Sequence, residues 1–388
     1  MNDALPDAIL HLFDWRFAAI EAALPELAAE GWGAVQVSPP QLSAPHPDWW
    51  ARYQPLDHTR IEGPLGSEAE FRSMIATAHR QRPRIAVIVD VVLNHMAERA
   101  PGPEPLRYAR FGPEHFHPRA AIDWDSIDSI RTGWIGWGPD LPDLRTEHPH
   151  VRREARAWLE RLLACGADGF RFDAVKHIEP AFFVEVLQGL PVPGPVYGEY
   201  IPQPGHGPVM ADYLPQMRLM DFAAQRELVR VMREGGPAAA LRDWPSGPES
   251  LPAARAVSFA TNHDIEHAQY GGFGLPPEVK DLVNAWILAR PEAPPLLWHG
   301  HRHDAAVRAG LSLRQASRRH GLQWLDVHPD VAAWRCGEDA ALFLNLSGHP
   351  STVAALDGLW IDGTNGHPLT GPWKLPARRP LFARRQVT

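Results

Sequence analysis

Three acidic residues close three short apolar runs: Asp173 in GADGFRFDAVKH, Glu199 in GPVYGEY and Asp264 in VSFATNHD. A carboxylate at the end of a buried strand stands at the rim of a sheet while its backbone is held rigid. Carboxylates with divided acid and base roles do group-transfer chemistry, and one such pairing splits a glycosidic bond. Taken singly, each acid reads equally well as an ordinary ion-pair partner. The chemistry requires a scaffold that brings the acids to one cleft.

The chain offers one. Short apolar runs, AILHLF (8–13), GAVQVS (33–38), IAVIVDVVLNH (85–95), DGFRFD (168–173), PVYGEY (195–200), MRLMDF (217–222), RAVSFATNHD (255–264) and PPLLWHG (294–300), alternate with amphipathic helical stretches. Continuous apolar runs mark strands buried on both faces, and intervening helices imply parallel pairing. Eight such strands predict an α/β chain folded as a (β/α)8 TIM barrel, with catalytic groups where the strands end. All three acids hold such positions. A long polar loop follows the second run. Residues 96–145, rich in Pro, Gly, His and Trp, predict a small excursion domain after strand 3. From 323 to 388 the pattern turns strand-like, with turn signals at Asp357-Gly358 and Asn365-Gly366, and predicts a short C-terminal antiparallel β domain. The barrel then comprises 1–95 and 146–322.

The formal net charge of −8 disfavours nucleic acid and anionic membranes as partners. No run approaches the ~20 apolar residues of a membrane span. The opening MNDALPDAILHLFDW lacks a basic segment followed by an apolar one, so the expectation is a cytoplasmic chain, or a secreted one if a leader has been removed. The two cysteines, Cys165 and Cys336, suggest no disulfide framework. A monomer is expected. Several of the 15 tryptophans fall in loop-like segments, where flat rings could stack on the apolar faces of sugars.

Four segments in order, DVVLNH (90–95), GFRFDAVKH (169–177), GEY (198–200) and FATNHD (259–264), resemble the motifs of the α-amylase family, glycoside hydrolase family 13. HLFDWRF (11–17), AVQVSPPQ (34–41) and WWARYQP (49–55) bring the resemblance closest to α-amylases proper. The resemblance implies a retaining hydrolase cutting internal α-1,4-glucosidic bonds of starch, glycogen or maltooligosaccharides. It makes Asp173 the nucleophile, Glu199 the general acid/base and Asp264 the third acid, which binds sugar hydroxyls. Arg171, two residues before Asp173 on one strand, shares its face and can hold it ionised. His95 and His263 are expected on hydroxyls of the sugar being cleaved, and Lys176 and His177 on the leaving-group side. Trp49, Trp50, Tyr53 and Gln54 are expected on the non-reducing side.

The resemblance also implies calcium held by Asn94, Asp143 and the main-chain carbonyl of His177, with a further carbonyl near Trp134–Gly136. Animal-type relatives bind chloride through two arginines and an asparagine. Arg171 and Asn262 match two of these, but Pro295 stands where the second arginine should lie, so no chloride site is expected. The rival readings are a maltogenic or sucrose-acting hydrolase or a transglycosylase of the same family, or a non-catalytic glucan-binding protein. All three acids are present, which argues against the last.

Overall fold

The computed structural model describes residues 7–98, 106–136, 140–242, 244–245, 249–267 and 273–386. Eight strands close a parallel barrel: β1 (Ile9–Leu12), β2 (Ala34–Val37), β3 (Ala86–Val91), β4 (Gly169–Phe172), β5 (Val196–Gly198), β6 (Arg218–Met220), β7 (Ala256–Phe259) and β8 (Pro295–Trp298). Each pairs with its sequence neighbour, and β1 closes onto β8 through Ile9 opposite Leu296. All eight runs read as strands in the sequence are these eight strands.

Alternation along the strands sorts their side chains into two apolar clusters. Ile9, Ala34, Ile88, Tyr197, Val257 and Leu296 form the small inner one. Leu10, Leu12, Val35, Val37, Val87 and Val89 join the large outer one beneath the helices. The helix Glu68–Arg80 shows how sharply an element can be started. Ser67 Oγ accepts from the Glu70 amide and Glu70 Oε2 accepts from the Ser67 amide, a reciprocal cap.

Two segments differ from the sequence expectation. The polar loop after β2 is an antiparallel hairpin, Gln41–Ser43 against Pro55–Gly63, enclosing a 3-10 turn over Trp49–Tyr53. Its fixing bonds are tertiary: buried Arg52 donates to Asp14 Oδ1 at 3.0 Å, so no local periodicity announces it. Within 96–145, residues 99–105 and 137–139 lie outside the described residues. The rest includes a helix, Ile127–Thr132, started by Ser126 Oγ accepting from the Ser129 amide at 3.3 Å. It also has a strand pair, Ile135–Gly136 with Asp140–Leu141. The segment returns to the barrel where Leu144 N donates to Asn94 O at 2.8 Å.

A six-stranded antiparallel sheet begins at Gln323. It packs on the barrel helices without a solvent layer: Trp334 stacks on Trp286 of the helix Lys280–Ala289 at 4.2 Å. Trp334, Leu342, Leu344 and Phe382 belong to the same apolar cluster as the outer barrel face.

Candidate active site

The register of the barrel decides where the charges go. β3 and β4 pair with Asp90 opposite Arg171, and β4 and β5 pair with Arg171 opposite Tyr197. Arg171, 1% exposed, therefore points into the barrel among acids. Its NH1 donates to Asp173 Oδ1 and to Asp90 Oδ1, each at 2.8 Å. Its NH2 lies 2.8 Å from Glu199 Oε1, a contact too poorly aligned to count as a hydrogen bond. Asp264, in the short helix His263–Glu266 that follows β7, completes the group. Four buried carboxylates thus face one guanidinium.

That imbalance fixes the protonation. Burial raises the Asp173, Glu199 and Asp264 carboxyls, Asp264 most strongly. Arg171 opposes the shift in each, and the neighbouring acids add to it at Glu199 and Asp264. The charge of Glu199 raises the Asp264 carboxyl and that of Asp173 raises both, so the pair titrates as a unit. Asp90, which also accepts from Tyr53 Oη at 2.8 Å, is pushed up to about 7, chiefly by burial. The arginine expected to serve Asp173 alone is shared three ways.

The backbone also bends to the site. Ala174, next to Asp173, lies in the left-handed region at φ 49°, a conformation that costs an alanine on the order of 1 kcal/mol. This turn aims the Ala174 amide at Glu199 Oε2, 3.4 Å away. Gly198 lets β5 pass under Val175: an added Cβ would meet Val175 Cγ2 at 2.5 Å.

Above the charges opens a cleft of about 770 Å³. It is lined by Asp173, Glu199 and Asp264, and also by Trp49, Trp50, Tyr53, Gln54, His95, Lys176, His177 and His263. Every residue assigned to sugar contact from the sequence is there except Arg171, which lies beneath the floor. Trp50 stacks on His46 at 4.5 Å, and Trp49 on His267 at 4.8 Å. His95 Nε2 is 2.9 Å from the Tyr53 carbonyl and so carries the hydrogen. Its Nδ1, buried and without a partner, is left as an acceptor, where a donor was expected. Burial keeps His95 neutral, lowered to about 4, and His177 likewise, to about 3. Lys176 is not solvent-facing polarity: it is 8% exposed, lowered to about 8 by burial, and its ammonium lies 5.0 Å over the Trp124 ring.

Trp124, Glu98, Ile135, Leu141 and Gln203 also line the cleft and were not singled out in the sequence. Asp90 stood inside a quoted motif without a role. The alternation Ile88-x-Asp90 on a buried strand was the available signal for it. Trp124 sits in an aperiodic segment and offered none.

The three residues assigned to calcium divide. Asp143, fully buried, accepts from Asn94 Nδ2 at 3.1 Å and from His117 Nδ1 at 2.7 Å. Its carboxyl is pushed up to about 7, chiefly by burial. Asn94 Oδ1 is buried with no partner. A desolvated carboxylate beside an orphan amide oxygen fits a hard cation. His177 approaches the same segment through its ring, Nδ1 lying 2.9 Å from the Ile130 carbonyl. Among the described residues no cluster of three His, Cys, Asp or Glu side chains could hold a metal, so the remaining ligands would have to be main-chain oxygens and water. As for the anion, Arg171 Nε and Asn262 Nδ2 are buried donors without partners, and Pro295 on β8 adds no charge.

The chain is similar to known proteins in sequence and in fold. A family model described as "Alpha amylase, catalytic domain" matches residues 137–234. An α-amylase of Aeromonas hydrophila is 30% identical over 368 residues, spanning 83% of this chain and 75% of that protein. The chain belongs to the α-amylase family. An α-amylase of Streptomyces violaceus is also 30% identical, over 92% of this chain and 62% of its own length. In fold, the α-amylase I of Eisenia fetida superposes with a TM-score of 0.86 over 98% of this chain and 97% of that one, at 21% identity. The same protein carrying an E249Q substitution has been solved with maltohexaose. As an α-amylase family member this chain is an amylolytic glycoside hydrolase, and the rival readings, a maltogenic or sucrose-acting hydrolase, a transglycosylase or a non-catalytic glucan-binding protein, are not favoured. No helix among the described residues is long and apolar enough to cross a membrane.

Proposed function

We propose that the chain cleaves internal α-1,4-glucosidic bonds with retention, with Asp173 as nucleophile, Glu199 as general acid/base and Asp264 as the acid that grips the sugar. The observation that carries this reading is the convergence of three acids, from the ends of β4, β5 and β7, on one open cleft. Glu199, raised by burial and by Asp173, donates its proton to the glycosidic oxygen as Asp173 attacks the anomeric carbon. The leaving chain departs with that proton, and a glycosyl ester forms on Asp173. Glu199, now ionised, takes a proton from water, which attacks the same carbon and frees Asp173. Arg171 stabilises whichever carboxylate is charged at each stage.

Trp49, Trp50, Tyr53 and Gln54 are assigned to the non-reducing side. Burying about 100 Å² of sugar against such rings contributes roughly 2–3 kcal/mol. Lys176 and His177 take the leaving side, and His95 and His263 the sugar being cleaved. The functional division follows the fold: 1–95 and 146–322 carry the acids, 96–145 overhangs the cleft, and 323–388 braces the barrel. The α-glucan is the proposed partner, and a monomer suffices because the described cleft needs no second chain. The starch-to-maltooligosaccharide product pattern tests the assignment: mixed short products of α-configuration are expected, whereas fructose release from sucrose or maltose as sole product would overturn it.

Calcium belongs to the same proposal, held by Asn94 Oδ1, Asp143 and the His177 carbonyl. Bound there it would neutralise Asp143 and fasten the overhanging segment to β3. Calcium at a hundredfold excess over its Kd should stabilise the fold by about 2.7 kcal/mol. A chelator should remove that gain in thermal melts, and Asn94→Ala should abolish the difference.

A further inference from the structure

The strand β1 contributes no acid, yet the residue after it touches Trp49 and Tyr53 of the non-reducing wall. Phe13, one residue past the strand and 5% exposed, lies flat against His263, with centroids 4.4 Å apart and planes 15° apart. Tyr53 lies flat against the same imidazole at 5.0 Å and 9°. Phe13 also meets Trp49 edge-on at 5.5 Å. Asp14, the next residue, turns the chain at φ 56°; its amide donates to Ser38 Oγ and its carboxylate accepts from Arg52 Nε. Arg52 belongs to the Trp49–Tyr53 turn. The phenyl ring is thus fixed just past a barrel strand, stacked with His263 and Tyr53 and edge-on to Trp49, all three assigned to sugar contact.

His263 needs such a clamp. Its Nδ1 is buried without a partner, and its Nε2 has only Asp264 Oδ1, 3.5 Å away. No strong hydrogen bond sets the plane of the imidazole, so ring packing must.

We propose that Phe13 is a positioning residue for catalysis, holding the His263 imidazole parallel to the Tyr53 ring so that it meets the sugar beside Asp264. This rests on the assignment of His263 to the cleaved sugar. The physical basis is stacking and exclusion of water: flat rings fix orientation, and a dry site opposes imidazolium. Groups that face His263 are His11 from β1, Tyr53, Arg171 from β4, and Asp264 and His267 on its own segment. His11, Arg171 and His267 join burial in lowering its pKa well below the usual histidine value.

The test compares Phe13→Leu, which removes the flat ring, with Phe13→Tyr, which keeps it. Phe17→Leu, in the outer apolar layer against Phe71, serves as a packing control. On maltoheptaose, Phe13→Leu should lower kcat about ten-fold or more while KM moves less than about three-fold. The acid limb of its pH profile should shift towards neutrality, and Phe13→Tyr should restore both. Phe17→Leu should lower thermal stability without moving the limb. Histidine NMR, with the His263 signal assigned through His263→Asn, should show His263 titrating closer to the ordinary value in Phe13→Leu. An unchanged titration, or a kcat loss and limb equal in the two leucine variants, would overturn the proposal. If the parent chain cleaves no α-glucan, the functional assignment fails instead, and the titration still decides the role of Phe13.

Discussion

Asp168 and Asp173 stand at opposite ends of β4, and their surroundings could hardly differ more. Asp168, at the floor of the barrel, is saturated. It accepts from His79 Nε2 at 2.9 Å, Arg84 NH2 at 2.6 Å and the Val87 amide at 2.7 Å. Asp173, at the rim, shares one arginine with two other acids and sits below a turn through left-handed Ala174. At the floor each charge has its own partners, which ties β3 and β4 to the helix before them. At the rim acids outnumber cations, and buried nitrogens of His95, His263 and Asn262 lack partners. A saturated acid stabilises a fold; an under-compensated one is left able to react with something that arrives.

Substitutions can break this contrast. The largest effect should come from Asp173→Asn, which removes the nucleophile and one of the crowded charges. Turnover of starch should fall by about 10⁴-fold or more while the melting temperature stays level or rises. Glu199→Gln should cost about 10²- to 10⁴-fold, in keeping with a lost proton donor, and should be partly relieved on substrates with a good leaving group such as an aryl maltoside. At the floor the pattern should invert. Asp168→Ala strands the Val87 amide and removes the partner of His79 and Arg84, and should cost about 3 kcal/mol in urea unfolding, with kcat nearly unchanged.

A subtler effect should separate the two ends by pH. The Asp90 carboxyl is raised in the fold, so the folded chain keeps a proton that the unfolded chain, with an ordinary carboxylate, releases. Its contribution to stability is therefore present below about pH 4 and lost as pH rises to about 7. Asp90→Asn should flatten that decline, so its stability relative to the parent improves between those limits, as denaturant melts at a series of pH values would show. The smallest effect should be chloride: with Pro295 adding no charge to Arg171 and Asn262, kcat with and without the salt should agree within about two-fold. A saturable several-fold activation would mean that the orphan donors of the rim bind an anion after all.

The sequence made the rim legible because its acids end apolar runs. A strand on which Phe170, Phe172 and then Asp173 follow one another announces both burial and exposure. The same alternation put Arg171 on the face of Asp173. It could not say that Arg171 would be shared, because that depends on the register that sets Asp90 opposite Arg171 across two strands remote in sequence. The floor was less legible still, since Asp168, His79 and Arg84 lie in three separate elements and resemble any surface charges. The Trp49–Tyr53 turn lines the cleft but reads as irregular in sequence, because Asp14 and Phe13, just past β1, give it its shape.

The stacking of Trp334 on Trp286 bears on how the molecule fails. The terminal sheet has an apolar interior of its own on one face, around Phe343, Trp360 and Trp373, but its other face draws on the same contacts as the outer barrel. Loss of the last strands would uncover helix Lys280–Ala289, which stands between β7 and β8, and so would disturb the strand that leads to Asp264. Heating should accordingly abolish the remote sheet and the sugar-cutting cleft in a single calorimetric event, and a chain shortened before Gln323 should be an inactive, aggregation-prone species, not a smaller enzyme.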